Sequence, residues 1–133
     1  MLLPDCYIDY SEFYEVPPLL IESIAAIEGG KPGSKVGPNR NGTYDLGIMQ
    51  INTIWKSELE KYNISEYDLQ WDACTNIAVG TWILAKRYDE FDNDWQKAIM
   101  SYNAGYILEN GFDYAYKVLT EWNKRSDQQE SNK

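Results

Sequence analysis

The sequence predicts an all-α fold in a single domain, on three observations. Apolar residues recur at the roughly 3.6-residue helical period in one segment after another. No stretch makes a convincing strand, and breaks rich in Gly, Pro, Asn and Asp separate the periodic segments. The chain has 133 residues, 44% of them hydrophobic and 25% charged, which is ordinary for one soluble globular domain. At that length it buries roughly two thirds of its unfolded surface. The domain is expected over residues 1–125, with 126–133 a polar, disordered tail.

Asp5 is placed to cap a short helix with Cys6, Tyr10 and Phe13 on one side. Val16-Pro17-Pro18 breaks the chain before a second helix, whose first turn tolerates proline and whose stop falls at Gly29-Gly30. Residues 31–46 form a long Gly/Pro/Asn-rich loop without an apolar period, and loops of this length in compact domains are usually functional. Residues 47–52, GIMQIN, introduce a helical segment through Trp55 and Leu59 that ends near Asn63, and Ser65-Glu66 starts one further turn. Asp72 caps a longer helix, Ala73 to about Phe91, with Cys74, Ile77, Ala78, Thr81, Leu84, Ala85 and Tyr88 on its core stripe. Gly80 allows close packing of that helix. Asp92-Asn93-Asp94 lacks the glycine and terminal glutamate of a calcium loop and reads as a solvated turn. Trp95, Ala98, Ile99 and Tyr102 form the next stripe, closed by Gly105. A last helix, about 112–124, carries Tyr114, Val118, Leu119 and Trp122.

Composition excludes several functions. A formal charge of −9 without a basic stripe argues against nucleic acid and gives no support for docking on anionic lipid. No stretch is long and apolar enough for membrane insertion. With no histidine, Ser-His-Asp and Cys-His catalysis and His-based metal sites are excluded, so no metal and no cofactor is expected. Carboxylate chemistry is the easiest to build from what remains. Eleven Tyr and five Trp fit a sugar-binding groove, and equally an aromatic core. Cys6 and Cys74 are too far apart for a CxxC motif. They are either two buried thiols or, in an oxidising compartment, a disulfide stabilising by up to ~4 kcal/mol. Met1-Leu2-Leu3 runs straight into Pro4-Asp5 and shows no export signal, so the chain is either cytosolic or written without one.

Glu28 stands apart from the other carboxylates. Ile21, Ile24 and Ala25 share one stripe of the second helix, and Glu28 falls inside it, while Glu22 lies about 120° away toward solvent. Glu28 also occupies the last turn, where the helix dipole disfavours a negative charge. Apolar neighbours and dipole both push its pKa upward, as a general acid needs. The alternative is a surface glutamate at a frayed helix end.

What surrounds Glu28 in the sequence favours the acid. Ala26-Ile27-Glu28-Gly29, the run Tyr44 to Asn52 (YDLGIMQIN), Asn76-Ile77-Ala78-Val79-Gly80, Ser101-Tyr102-Asn103-Ala104-Gly105, and Tyr114 followed by Val118 occur in that order. This series resembles a soluble lytic transglycosylase domain of the lysozyme-like superfamily, over about Cys6 to Leu119. It is most similar to the small single-domain members that accompany secretion, conjugation and pilus systems. Many members have Ser after the glutamate where this chain has Gly29, a departure that bears on how the glutamate is oriented.

The resemblance implies that Glu28 is the single catalytic acid/base, cleaving the β-1,4 bond between N-acetylmuramic acid and N-acetylglucosamine in peptidoglycan. Ordinary glycosidases use a second carboxylate. In this family the substrate's N-acetyl group takes that part and the sugar's 6-hydroxyl attacks, leaving a 1,6-anhydro end. Asp45 is the candidate for a second carboxylate, against a loop-stabilising role through nearby backbone amides. By matching position, Gln50 bonds sugar amide or hydroxyl groups and Gly47 lets backbone approach the glycan closely. Met49 packs against a ring, or belongs to the core. Asn103 holds the N-acetyl group, and Tyr102 floors the cleft or is core. Tyr114 bonds the Glu28 carboxyl, or packs between the last two helices. Peptidoglycan lies outside the cytoplasm, where disulfides persist, so the resemblance implies a periplasmic or secreted protein with a Cys6–Cys74 disulfide. The implied partners are glycan strands and components of a secretion, conjugation or pilus apparatus. A hydrolytic muramidase, a catalytically weak peptidoglycan-binding component and a structural adaptor are the competing functions.

Overall fold

The computed structural model describes residues 3–133; Met1 and Leu2, which begin the segment read for an export signal, lie outside them. The described residues fold into seven α-helices: α1 (Cys6–Tyr14), α2 (Pro18–Glu28), α3 (Lys56–Glu60), α4 (Glu66–Trp71), α5 (Ala73–Glu90), α6 (Trp95–Ala104) and α7 (Phe112–Ser131). The all-α class expected from periodicity is therefore the observed one. Short 3₁₀ turns at Thr53–Trp55 and Leu108–Gly111 join them.

Most helix ends follow local chemistry. Pro18 opens α2 and Gly29 closes it in the left-handed region, φ 68°. Asp72 caps α5 by accepting from the Thr75 amide at 3.0 Å, and Asp94 caps α6 through the Lys97 amide at 3.1 Å. Ser65 and Asp68 make a reciprocal capping box on α4. Asp5 is an exception: it is itself helical and its side chain caps nothing. Phe13 is another. It is 77% exposed, because α1 turns Cys6, Tyr7, Tyr10 and Tyr14 to the core, and Phe13 falls roughly a quarter turn from the centre of that face.

The core sits between α2, α5, α6 and α7, with Leu20, Ile21, Ile24, Ile77, Leu84, Ile99 and Val118 fully enclosed. The Cys6–Cys74 disulfide fastens α1 to the start of α5, with the Cα atoms 5.9 Å apart. Glu22, expected on the solvent side, is half-buried instead. It accepts from the Tyr7 hydroxyl at 2.7 Å and from Arg125 Nη1 at 3.0 Å, tying α2 to α1 and α7. The expected disordered tail is also corrected, since α7 runs on to Ser131. Gln128, Gln129 and Glu130 are good helix formers, and just before the tail Arg125 pairs with Glu121 four residues back.

A strand-free chain was expected, yet residues 31–52 hold a small antiparallel sheet, β1 (Lys35–Val36), β2 (Asp45–Leu46) and β3 (Ile51–Asn52), in the order β1-β2-β3. Lys35 faces Leu46, and Leu46 faces Ile51. Strands of two residues are too short to show alternation. The turn from β2 to β3 is held from below by Asn76 of α5. Its Oδ1 accepts from the Met49 amide at 2.8 Å, and its Nδ2 donates to the carbonyls of Leu46 at 2.7 Å and Leu69 at 2.8 Å.

Candidate active site

Glu28 ends α2 with its carboxyl directed to the edge of the core, where Tyr114 of α7 donates a hydrogen bond to Oε2 at 2.8 Å. Three influences act on this carboxyl. Burial pushes it upward, the Tyr114 hydrogen bond pulls it down, and the negative charge of Asp45 pushes it up again, leaving the pKa at about 7. Tyr102 and Tyr114 are held well above the ordinary phenol range, first by burial and then by the charge of Glu28. Tyr114 therefore remains a donor at any pH where Glu28 titrates.

A cleft of about 730 Å³ opens beside Glu28. The sheet side supplies Asn39, Thr43, Asp45 and Asn52, and the C-terminal end of α6 supplies Ser101, Tyr102 and Asn103. Gln50, in the β2–β3 turn, lines it too. Its φ of 53° is left-handed, which a non-glycine residue adopts at a cost of about 1 kcal/mol, and its Nε2 donates to the Gly47 carbonyl at 2.9 Å. Tyr102 crosses from α6 to the turn, its hydroxyl donating to the Met49 carbonyl at 2.7 Å. Its ring lies nearly parallel to that of Tyr114, with centroids 6.4 Å apart.

Glu28, Gln50, Tyr102 and Asn103 are thus brought to one cleft, with Tyr114 behind the carboxyl. Of the two readings of Met49 the core one holds, and the reading of Gly47 needs correction. The Met49 side chain is fully enclosed and fills the space over Gly80, where an added Cβ would lie 2.5 Å from its sulfur. It is core and has no surface to offer a sugar ring. Gly47, at φ 70°, is likewise packed inward: an added Cβ would lie 2.3 Å from Asn76 Nδ2. The close approach that needs this glycine is to α5, while its carbonyl meets Gly30 so closely that a Cβ there would overlap it. Asp45 faces the cleft with both oxygens engaged, accepting from Asn52 at 3.0 Å and Asn39 at 3.3 Å.

Sequence reasoning quoted Asn76 in a motif without giving it a role, and passed over Trp55, Arg87 and Tyr106 as site residues. Asn76 is 1% exposed although it lies on the side of α5 away from the predicted stripe, because α5 is enclosed on both sides, with Val79, Gly80 and Ile83 also buried. Trp55, Arg87 and Tyr106 line the cleft away from any of the quoted motifs except the glycine before Tyr106. Among the described residues no three His, Cys, Asp or Glu side chains gather as a metal cluster, and no helix is long and apolar enough to cross a membrane.

An all-α domain with a half-buried carboxyl at a helix end, opening onto a polar cleft, is consistent with the lysozyme-like class that the sequence resemblance implied. The chain belongs to the Transglycosylase SLT domain family, whose model matches residues 5–125. It is 37% identical over 102 residues to the invasion protein IagB of Salmonella typhimurium, covering 76% of this chain and 62% of IagB. Protein IpgF of Shigella flexneri is 34% identical over 101 residues, 76% of this chain and 66% of IpgF. A peptidoglycan-binding-like protein of Escherichia coli O157:H7 is 32% identical over 123 residues, 85% of this chain and 73% of that protein. The chain therefore spans under two thirds of the length of IagB.

Proposed function

We propose that this chain is a peptidoglycan lytic transglycosylase domain with Glu28 as its only acid/base. The observation that carries the reading is a carboxyl with a pKa of about 7, raised mainly by burial, at the wall of a 730 Å³ cleft. In the proposed reaction, protonated Glu28 gives its proton to the oxygen of the β-1,4 bond between N-acetylmuramic acid and N-acetylglucosamine. The bond from C1 to that oxygen breaks as oxocarbenium character develops. The substrate's N-acetyl oxygen closes on C1 from the opposite face. Glu28, now ionised, takes the proton of the 6-hydroxyl while O6 attacks C1 and releases the N-acetyl group. The product carries a 1,6-anhydro ring, no water is consumed, and Glu28 is protonated again.

The surroundings support this sequence of steps. The Tyr114 hydroxyl orients one oxygen of Glu28 and steadies the ionised form between the two transfers. Gln50 and Asn103 present amides on the cleft wall for sugar hydroxyl and N-acetyl groups. Tyr102 braces the turn that carries Gln50. Family membership, and relatives named as an invasion protein and a peptidoglycan-binding-like protein, support a glycan strand as substrate and a trans-envelope machine as setting. The Cys6–Cys74 disulfide suits a periplasmic or secreted location.

The second reading is a muramidase in which water attacks. It is favoured by one observation, the presence of Asp45 on the same cleft as Glu28. The two amide hydrogen bonds on Asp45 count against it as a base. Mass spectrometry of purified sacculi digested by wild type and Glu28→Gln distinguishes the readings. Anhydro ends from the wild type alone are expected, reducing ends indicate the muramidase, and equal digestion by Glu28→Gln removes Glu28 from the chemistry.

A further inference from the structure

The wall of the cleft formed by α5 and the chain just beyond α6 carries an aromatic arrangement that the acid/base chemistry does not use. Gly105 ends α6 with φ 64° and ψ −131°, a combination that glycine adopts readily and other residues do not. The chain is thereby turned out of the helix, and Tyr106 lies against Arg87. The guanidinium carbon is 4.6 Å from the centre of the Tyr106 ring and 5.3 Å from that of Trp55. Arg87 Nη1 donates to the Tyr106 hydroxyl and, at 3.0 Å, to Glu90 Oε2, and the same Glu90 oxygen accepts from Tyr106 at 2.8 Å. Tyr106 is thus held at both its ring and its hydroxyl, yet it is 68% exposed. With Trp55 and Arg87 it lines the cleft that Glu28 opens into.

An exposed tyrosine ordinarily keeps its rotamer freedom and gives some of it up on binding. Here hydrogen bonds and the cation beneath the ring have already removed that freedom without covering the ring. Such preorganisation serves a ligand that lies flat on an aromatic face. The axial C–H groups of a pyranose make that kind of surface, and polar edges beside them suit the hydroxyl end of a tyrosine. Arg87 itself is a poor anion site. It is 8% exposed, its charge is matched by Glu90, and its Nε is buried without a partner. A guanidinium so placed is costly to bury, and what it supports is the ring above it.

We propose that Tyr106, pinned by Arg87 and Glu90, is a stacking platform for one pyranose ring of a β-1,4-linked N-acetylhexosamine chain. It forms a binding subsite separate from the proton transfer at Glu28. The proposal rests on the glycan reading of the cleft. Tyr106 is the binding residue, and Arg87 and Glu90 are positioning residues.

The test uses the Glu28→Gln protein, so that binding is read without cleavage, with chitohexaose as the probe and calorimetric Kd as the readout. Tyr106→Ala is expected to weaken binding about tenfold, the worth of one aromatic stacking contact. Tyr106→Phe keeps the ring and is expected to bind within about threefold of the parent, and Tyr106→Trp likewise. In the active protein, Tyr106→Ala raises KM for solubilised peptidoglycan with a smaller change in kcat. Arg87→Met is expected to fall between the Ala and Phe variants. Because Tyr106 is exposed, its variants carry the test even where Arg87→Met fails to fold. Unchanged affinity in Tyr106→Ala overturns the subsite and leaves the Glu28 chemistry standing. A loss in Tyr106→Phe equal to that in Tyr106→Ala overturns stacking as the source of the affinity. Failure of the Glu28→Gln parent to bind chitohexaose overturns the glycan reading of the cleft and the subsite with it.

Discussion

Tyr114 reaches Glu28 from 86 residues further along the chain and donates to its carboxyl at 2.8 Å, so the group that burial drives toward neutrality is also steadied as an anion. A residue that donates and then accepts a proton needs both states within reach. Burial alone would trap the acid, and the hydrogen bond alone would trap the base.

Tyr114→Phe removes the one influence that lowers the pKa of Glu28 and leaves those that raise it. The limb of the pH–rate profile that falls as Glu28 ionises should move to higher pH. Plateau kcat should fall by about 10- to 100-fold, the worth of a hydrogen bond to a charged group. A pH–rate series on sacculi measures both, and a limb displaced to lower pH would contradict this account of the site.

Glu28 should also cost stability. Its folded pKa of about 7 lies above the ordinary 4.5, so between those values the folded protein holds a proton that the unfolded chain releases. Stability contributed by the neutral form is complete below the lower value and declines as pH rises to the upper one, by roughly 3 kcal/mol in all. Glu28→Gln has no such decline. Urea denaturation at about pH 8 should find the variant more stable, with the difference gone by about pH 4. A variant less stable than wild type at the higher pH would refute the buried-carboxyl picture.

The disulfide closes a sequence separation of 68 residues, and in the chain-entropy model a loop of that length is worth about 4 kcal/mol. Cys6→Ser with Cys74→Ser should lower the melting temperature by about 10 °C or more. Thermal melts of the oxidised and reduced wild type check the same prediction without substitution.

Asn76→Ala strands the Met49 amide and the Leu46 and Leu69 carbonyls in the interior. A destabilisation of roughly 3 kcal/mol or more is expected, together with loss of the turn that holds Gln50 in its left-handed conformation. Chemical denaturation gives the first quantity. A cost below about 1 kcal/mol would mean that the turn stands without α5.

Much of this molecule was legible as local pattern. Pro18 and Gly29 bracket α2, Asp72 and Asp94 cap α5 and α6, and Gly105 ends α6, because caps and stops act within a few residues. The inward turn of Glu28 followed from its place in the Ile21–Ile24–Ala25 stripe. The sheet was not legible, since two-residue strands have no period. Met49 stayed open between cleft and core because a buried methionine and a solvent-lining one look alike in sequence, and Gly47 was misread because a turn glycine does not reveal what approaches it. Tail helicity was missed because low hydrophobicity says little about a segment whose helix is already nucleated by α7.

By itself the sequence determined most of the helical segments, the caps and stops of α2, α5 and α6, and the presence of an acid on an apolar face, all properties written within a turn or two of backbone. Only the tertiary structure decided that Tyr114 should share that acid's proton chemistry, that Asn76 should hold the Gln50 turn, and that Arg87 should support Tyr106. Each of these contacts joins residues on separate elements, and their meeting depends on how whole helices pack, which no local spacing encodes.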